Sequence, residues 1–172
     1  MDSNNQTEMP DELEGLEEPG ETEEVPGHDA ILFAIGNEYL AIPLEEIAEI
    51  HELEEITPLP MAPPFIEGVI NVHGILATVI SLDRILQISD VPVGNLLTRL
   101  IPERGGIAIR VESSLGMVKY SVLEEVTRDM GQENNQVSFV EGVFRSGDKL
   151  ISLINPSKLC VWIDGALAKG ED

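Results

Sequence analysis

Phe65-Ile66-Glu67-Gly68-Val69-Ile70 returns as Phe139-Val140-Glu141-Gly142-Val143-Phe144, 74 residues further along the chain. The match continues without a gap. Leu76-Ala77-Thr78-Val79-Ile80 lies over Leu150-Ile151-Ser152-Leu153-Ile154, and Asp83-Arg84-Ile85-Leu86 over Ser157-Lys158-Leu159-Cys160. Upstream, Ile31-Leu32-Phe33-Ala34-Ile35 aligns with Ile107-Ala108-Ile109-Arg110-Val111 at an offset of 76. Leu44-Glu45-Glu46-Ile47 aligns with Leu123-Glu124-Glu125-Val126 at an offset of 79. Changes in loop length produce this kind of drift, so the chain reads as a duplicated unit of roughly 75 residues. Two copies are too few for a solenoid. Each holds short apolar runs with turns at the spacing of a small barrel. One unit buries little apolar surface alone, whereas two packed face to face share a larger core. The expected fold is mainly β: two pseudo-symmetric small β-barrels with short helices and a groove between them.

Working outward from the repeat, Ile31–Ile35 and Tyr39–Ile42 flank Gly36-Asn37-Glu38 and predict a β-hairpin. Pro43 starts a predicted short helix over 44–50, with Leu44, Ile47 and Ala48 on one face. Four prolines between Pro58 and Pro64 demand an extended connector. The segments 65–72 and 75–82 form a second hairpin, with Gly74 supplying a positive φ near its turn. Ser81–Leu86 reads as a helical turn, and 89–104 as a connector crossing back over the core.

The whole chain has 172 residues, 32 acidic and 10 basic, for a formal charge of −22. Such acidity repels phosphate backbones and anionic headgroups, which argues against nucleic-acid partners and membrane-surface binding. Residues 1–29 carry 11 of the acidic side chains and no Lys or Arg, with three prolines and three glycines. This segment is expected to be a disordered acidic tail, either solubilising or bait for a basic partner. The domain proper is expected over 30–165, with subdomains at about 30–88 and 104–160, and a C-terminal tail at 166–172. The single Cys160 forbids an internal disulfide, a CxxC pair and a cysteine-based zinc site. With no apolar run long enough to span a bilayer and no secretory signal, a cytoplasmic location is expected.

Catalytic constellations are nearly absent, and an enzyme is not expected. HExxH, GxSxG and Walker-type motifs are missing, and Gly105-Gly106 precedes a strand, which makes a poor phosphate cradle. The sharpest metal candidate is the cluster Glu45, Glu46, Glu49, His51, Glu52, Glu54 and Glu55. It lacks the Gly turn and alternating oxygen ligands of a calcium loop, so it reads as a solvated acidic face. Cys160, in an apolar run, reads as an inert thiol, and no cofactor is expected.

Gly36-Asn37-Glu38-Tyr39, Ile47-Ala48-Glu49-Ile50 and Pro63-Pro64-Phe65-Ile66-Glu67-Gly68-Val69-Ile70-Asn71-Val72-His73-Gly74 together resemble the CheW family of chemotaxis coupling proteins. The resemblance runs from about Ala30 to Cys160, and in the second half its best match is Phe139 to Leu159. It implies two five-stranded, SH3-like barrel subdomains and a non-enzymatic adaptor of a chemosensory array. Its implied partners are the regulatory domain of a CheA-type histidine kinase and the cytoplasmic tip of methyl-accepting chemoreceptors. It places Ile47, Glu49, Ile50, Gly68 and the Asn71-to-Gly74 turn, including His73, on the coupling surface. Ile47 and Ile50 would line a receptor groove if exposed, or belong to the core. Gly68 would allow close backbone approach. The family usually carries Arg at the position of His73, and that Arg is expected to pair with the glutamate matching Glu49. An imidazole cannot give a permanently charged, forked contact, so a His73–Glu49 pair would depend on pH.

Three other readings stay open. One is a divergent relative in a twitching or gliding motility system that binds an array without activating the kinase. Another is a metal-dependent or small-ligand enzyme on a β-barrel. The third, adaptation to high salt, fits poorly because Glu outnumbers Asp by 23 to 9.

Overall fold

The computed structural model describes residues 27–121, 123 and 138–170. Among the described residues, ten strands follow in chain order: β1 (His28–Ile35), β2 (Glu38–Pro43), β3 (Ile47–Glu52), β4 (Ile66–Val72), β5 (Ile75–Ser81), β6 (Leu96–Leu100), β7 (Ile107–Val111), β8 (Ser113–Tyr120), β9 (Val140–Ser146) and β10 (Lys149–Ile154). Helix α1 (Leu82–Leu86) follows β5, and α2 (Pro156–Gly170) follows β10. The strands form two five-stranded sheets, in the orders β8-β1-β2-β10-β9 and β3-β6-β7-β5-β4. Each is an open SH3-like barrel whose end strands share no ladder among the described residues.

Side-chain alternation explains how two barrels become one body. In β1, Ile31, Phe33 and Ile35 point into a core shared by both sheets, while Ala30 and Leu32 point into the interior of their own barrel. In β2, Leu40 and Ile42 face the shared core and Ala41 the barrel interior. The other sheet follows suit: Ile107, Ile109 and Val111 of β7 face the shared core, and Ala108 faces inward. These central strands are buried on both faces, which is why they read as unbroken apolar runs.

The duplication is real, but its register differs upstream of β4. At β4–β5 and β9–β10 the offset of 74 holds, and the motif has one structural meaning in both copies. Phe65 and Phe139 are buried, and the strands bulge at Glu67 and Glu141. The Phe65 carbonyl accepts from Ser81 N at 2.8 Å, and the Phe139 carbonyl from Asn155 N at 2.7 Å. Upstream, Ala41 pairs with Leu153 and Ala108 with Val79, in parallel ladders. Ala41 and Ala108 are therefore equivalent, 67 residues apart, and β2 corresponds to β7. The expected match of 31–35 with 107–111 paired β1 with the wrong strand, because five-residue apolar runs look alike. The true counterpart of β1 is β6. Glu124–Val126 of the expected 79-residue match lie outside the described residues.

Three local expectations change as well. Residues 44–50 form a 3-10 turn at Leu44–Glu46 and then β3, with no α-helix. Ile47 pairs with Leu100 and Glu49 with Arg99, so Ala48 is an extra bulged residue. The bulge puts Ile47 and Ile50, three apart, on one face and so mimics a helical period. The expected connector over 89–104 contains β6 and a 3-10 turn at Pro102–Arg104. The sheets also do not divide at 88–104. One takes β1–β2 and β8–β10, the other β3–β7, so each joins strands from both halves of the sequence. The described part of the acidic segment is ordered, since β1 already begins at His28, and α2 continues through 166–170. The rest of the expected tail, 1–26, lies outside the described residues.

Helix α2 seals the seam. The Trp162 ring meets Phe65 edge-on at 5.2 Å and Phe139 edge-on at 6.0 Å. One indole thus contacts the same repeat position in both copies.

Candidate protein-docking surface

The β4–β5 hairpin ends in a turn that only certain residues can build. His73 has φ 52° and Gly74 φ 83°, the paired positive values of a tight type I′ hairpin turn. The Asn71 side-chain oxygen accepts a hydrogen bond from Gly74 N at 2.8 Å and locks the turn. His73 consequently projects outward, with 84% of its side chain exposed.

The turn comes to rest against edge strand β3. His73 Nδ1 lies 4.0 Å from Glu49 Oε1, so the expected pairing partner is within reach. The guanidinium that Glu49 meets comes from another element: Arg99 Nη2 on β6 is 3.5 Å from Glu49 Oε2. His51, on the same face of β3 as Glu49, brings Nε2 to 3.8 Å from Glu49 Oε1. Glu49 Oε1, His51 Nε2 and Arg99 Nε are each buried without a hydrogen-bond partner. Sequence reading missed Arg99, because β6 was taken as a connector. The run Leu96-Leu97-Thr98-Arg99-Leu100 does not alternate, so it gave no clear strand signal.

The other candidate positions divide. Ile47 and Ile50 are half-buried and pack against the shared core. Ile50 lies on the opposite face of β3 from Glu49 and His51. Gly68, with φ 146°, is buried where the chain crosses itself. Thr57 and Val69 exchange two backbone hydrogen bonds of 2.8 Å beside it. A methyl group there would overlap the Thr57 carbonyl oxygen and lie 2.7 Å from Ile56 Cγ2. Gly68 therefore serves internal geometry. Asn71, His73 and Gly74 are exposed together at the hairpin tip.

Exposed apolar side chains mark each barrel at one equivalent place. Leu76, next to the β4–β5 turn, is 67% exposed; Leu150, next to the β9–β10 turn, is 48% exposed. Leu59 and Met61 stand out from the proline-rich connector. At one end of the β8-β1-β2-β10-β9 barrel, a recess of about 410 Å³ is walled by Glu45, Glu46, Glu141 and Tyr120. Another, of about 380 Å³, lies beside α2 and includes Arg104, Cys160 and Val161. Burial raises the pKa of both the Tyr120 phenol and the Cys160 thiol, which leaves the thiol a poor nucleophile. Its Sγ–H donates to the Arg104 carbonyl at 3.4 Å. No helix among the described residues is long and apolar enough to cross a membrane.

Comparisons with known proteins agree with this architecture. A family model described as a CheW-like domain matches residues 29–163. The chemotaxis protein CheW of Thermotoga maritima is 31% identical over 108 residues, covering 54% of this chain and 69% of that protein. Protein FrzA of Myxococcus xanthus is 27% identical over 137 residues, covering 78% of this chain and 86% of that protein. The crystal structure of the scaffolding protein TtCheW from Thermoanaerobacter tengcongensis superposes with a TM-score of 0.64 at 21% identity. It covers 75% of this chain and 89% of that one, a likeness of fold. With its twin open barrels, the repeated Phe-x-Glu-Gly motif and a family match over most of its length, the chain belongs to the CheW-like family of chemotaxis proteins.

Proposed function

We propose that this protein is a non-enzymatic adaptor that couples chemoreceptors to a CheA-type histidine kinase in a cytoplasmic array. The observation that carries this reading is the family match over residues 29–163. The surface supports it physically. Leu76 and Leu150 give each barrel an exposed apolar knob at the same place, which suits a protein that grips two neighbours with like faces. The Glu49–Arg99–His73 corner adds a polar rim beside Leu76. The receptor tip, a helical hairpin, would meet this corner and the Asn71–Gly74 turn, and the regulatory domain of the kinase would meet the barrel ends.

The test is a pull-down of the full chain against a CheA regulatory domain and a receptor-tip fragment. Leu76→Arg and Leu150→Arg are both exposed changes that leave the fold intact. Wild type binds the kinase domain, and at least one variant binds more weakly. Failure of the wild type to bind either partner refutes the reading.

A second reading draws on FrzA, which covers 78% of this chain, although a CheW of Treponema pallidum covers 75%, so coverage does not separate the two readings. On that reading the protein serves a twitching or gliding motility system and occupies the array without activating its kinase. Reconstitution with receptor and kinase separates the two: binding with no rise in kinase activity selects the second.

A further inference from the structure

We propose that His51 is a proton sensor in the β3 corner: its imidazolium hydrogen-bonds the Glu49 carboxylate, which its neutral ring leaves without a donor. The ring stands between two acceptors. Its Nδ1 lies 2.9 Å from the Glu52 carbonyl oxygen, which can only accept. Its Nε2 faces Glu49 Oε1 at 3.8 Å, and both atoms are buried without a hydrogen-bond partner. A neutral imidazole carries one N–H, so whichever nitrogen holds it, the other lone pair points at an oxygen. Only the doubly protonated ring satisfies both contacts. The observed geometry fits the neutral ring with its proton on Nδ1: one contact is at hydrogen-bond length and the other stands off. A proton on Nε2 turns two mutually repelling acceptors into a charge-assisted hydrogen bond, and the gap closes by about 1 Å.

Three charged or titratable side chains surround this contact. Glu49 lies on the same strand and face as His51. Arg99, on β6, brings Nη2 to 3.5 Å from Glu49 Oε2 and leaves Oε1 without a donor. The guanidinium charge opposes a second cation nearby, but it does not fill the place at Oε1. His73 reaches the same oxygen from the hairpin turn, with Nδ1 at 4.0 Å. Its ring is mostly in water, which screens its attraction for the carboxylate. His51 is partly buried and its Nε2 wholly so, which makes it the stronger responder. Protonation completes a chain from Arg99 through Glu49 and His51 to the Glu52 carbonyl, on a strand paired along one edge only. In the neutral state Glu49 Oε1 stays an acceptor in need of a donor; in the acid state it is taken. The sensor works whether or not a partner docks at the corner.

The experiment follows thermal unfolding of the full chain at about pH 5.5 and about pH 8, on either side of the ordinary imidazole range. Other groups titrate as well, so the reading is the difference between chains. The imidazolium contact exists only in the folded chain, so its stabilisation is present on the acid side and lost as pH rises. From the higher pH to the lower, wild type should gain about 2–4 °C in Tm over His51→Gln, whose amide can donate to Glu49 at either pH. His73→Gln, an exposed change, should keep most of that gain. A second readout needs no variant: proton NMR of the wild type should show a slowly exchanging His51 Nε2–H at about pH 5.5 and none at about pH 8. The proposal is overturned if wild type and His51→Gln respond alike to pH, if His73→Gln alone removes the response, or if no protected His51 Nε2–H appears at the acid pH.

Discussion

Arg104 donates two hydrogen bonds to Glu46, from Nε to Oε1 at 2.6 Å and from Nη2 to Oε2 at 2.9 Å. The pair ties the 3-10 turn before β3 to the one before β7, and the Ile101 N to Glu46 O bond of 3.0 Å reinforces the junction. The hydrogen bond to Glu46 is the main reason the Arg104 pKa is raised, with desolvation opposing it. Both side chains are partly buried. Replacing Arg104 with Met leaves the carboxylate without its partner and lowers the unfolding free energy by about 2 kcal/mol. Glu46→Gln keeps the shape and one acceptor, and loses less. Urea denaturation of both variants checks the order.

Trp162 is the only tryptophan of the chain, and its contacts with Phe65 and Phe139 make its emission a report on the seam between the barrels. Trp162→Ala should cost about 3 kcal/mol, the lower end for truncating a large buried aromatic, because the ring is only partly buried. Phe139→Leu should red-shift the emission of the folded protein as one wall of the indole site recedes. An unchanged spectrum would show that Phe139 does not shield the ring.

Gly68 and Gly74 both have positive φ, but their surroundings differ. An added methyl at Gly68 meets the Thr57 backbone, and at Gly74 it meets nothing within 4 Å. Gly74→Ala should cost about 1–2 kcal/mol, from backbone conformation alone. Gly68→Ala should cost clearly more, because the 57–69 crossing must shift. Thermal unfolding of the two variants side by side tests the difference, and equal losses would contradict the packing argument.

Burial raises the Cys160 thiol above its ordinary value of 9.0, and Arg104 partly offsets this. A raised pKa means the folded chain holds the proton more tightly than the unfolded one. The stabilisation is whole below the unfolded value and disappears as pH climbs through the folded one. Tyr120, raised mainly by desolvation, adds a loss of the same sign at higher pH. Stability should therefore decline from about pH 9 upward. Cys160→Ala should flatten the first part of that decline. If the variant keeps the wild-type alkaline slope, the thiol is not its source.

The sequence disclosed the duplication where a physical constraint recurs. Phe65 and Phe139 fill equivalent buried places, and Glu67 and Glu141 occupy equivalent bulges, so both copies had to keep the pattern. It also disclosed a turn with a positive φ at Gly74, and the nearness of His73 to Glu49 followed only from the family resemblance. It hid β3, because the Ala48 bulge gave Ile47 and Ile50 a helical spacing. It hid β6, because five residues beginning Leu96-Leu97 after a Pro- and Gly-containing stretch look like a loop with apolar content. Arg99 and the Glu49 cluster went with it. Strand exchange was invisible for a different reason: a repeat shows which elements are alike and says nothing about which of them pair.

That exchange governs how the molecule comes into being. The β2–β10 ladder joins Ala41 to Leu153, 112 positions downstream. A nascent chain leaving the ribosome presents β1 and β2 early, with apolar residues on both sides, and cannot complete their sheet until β9 and β10 have emerged. Such late, distant pairing slows folding and lengthens the time that sticky surface stays open to aggregation. Separate expression of the front half would therefore yield an orphaned hairpin rather than a working lobe.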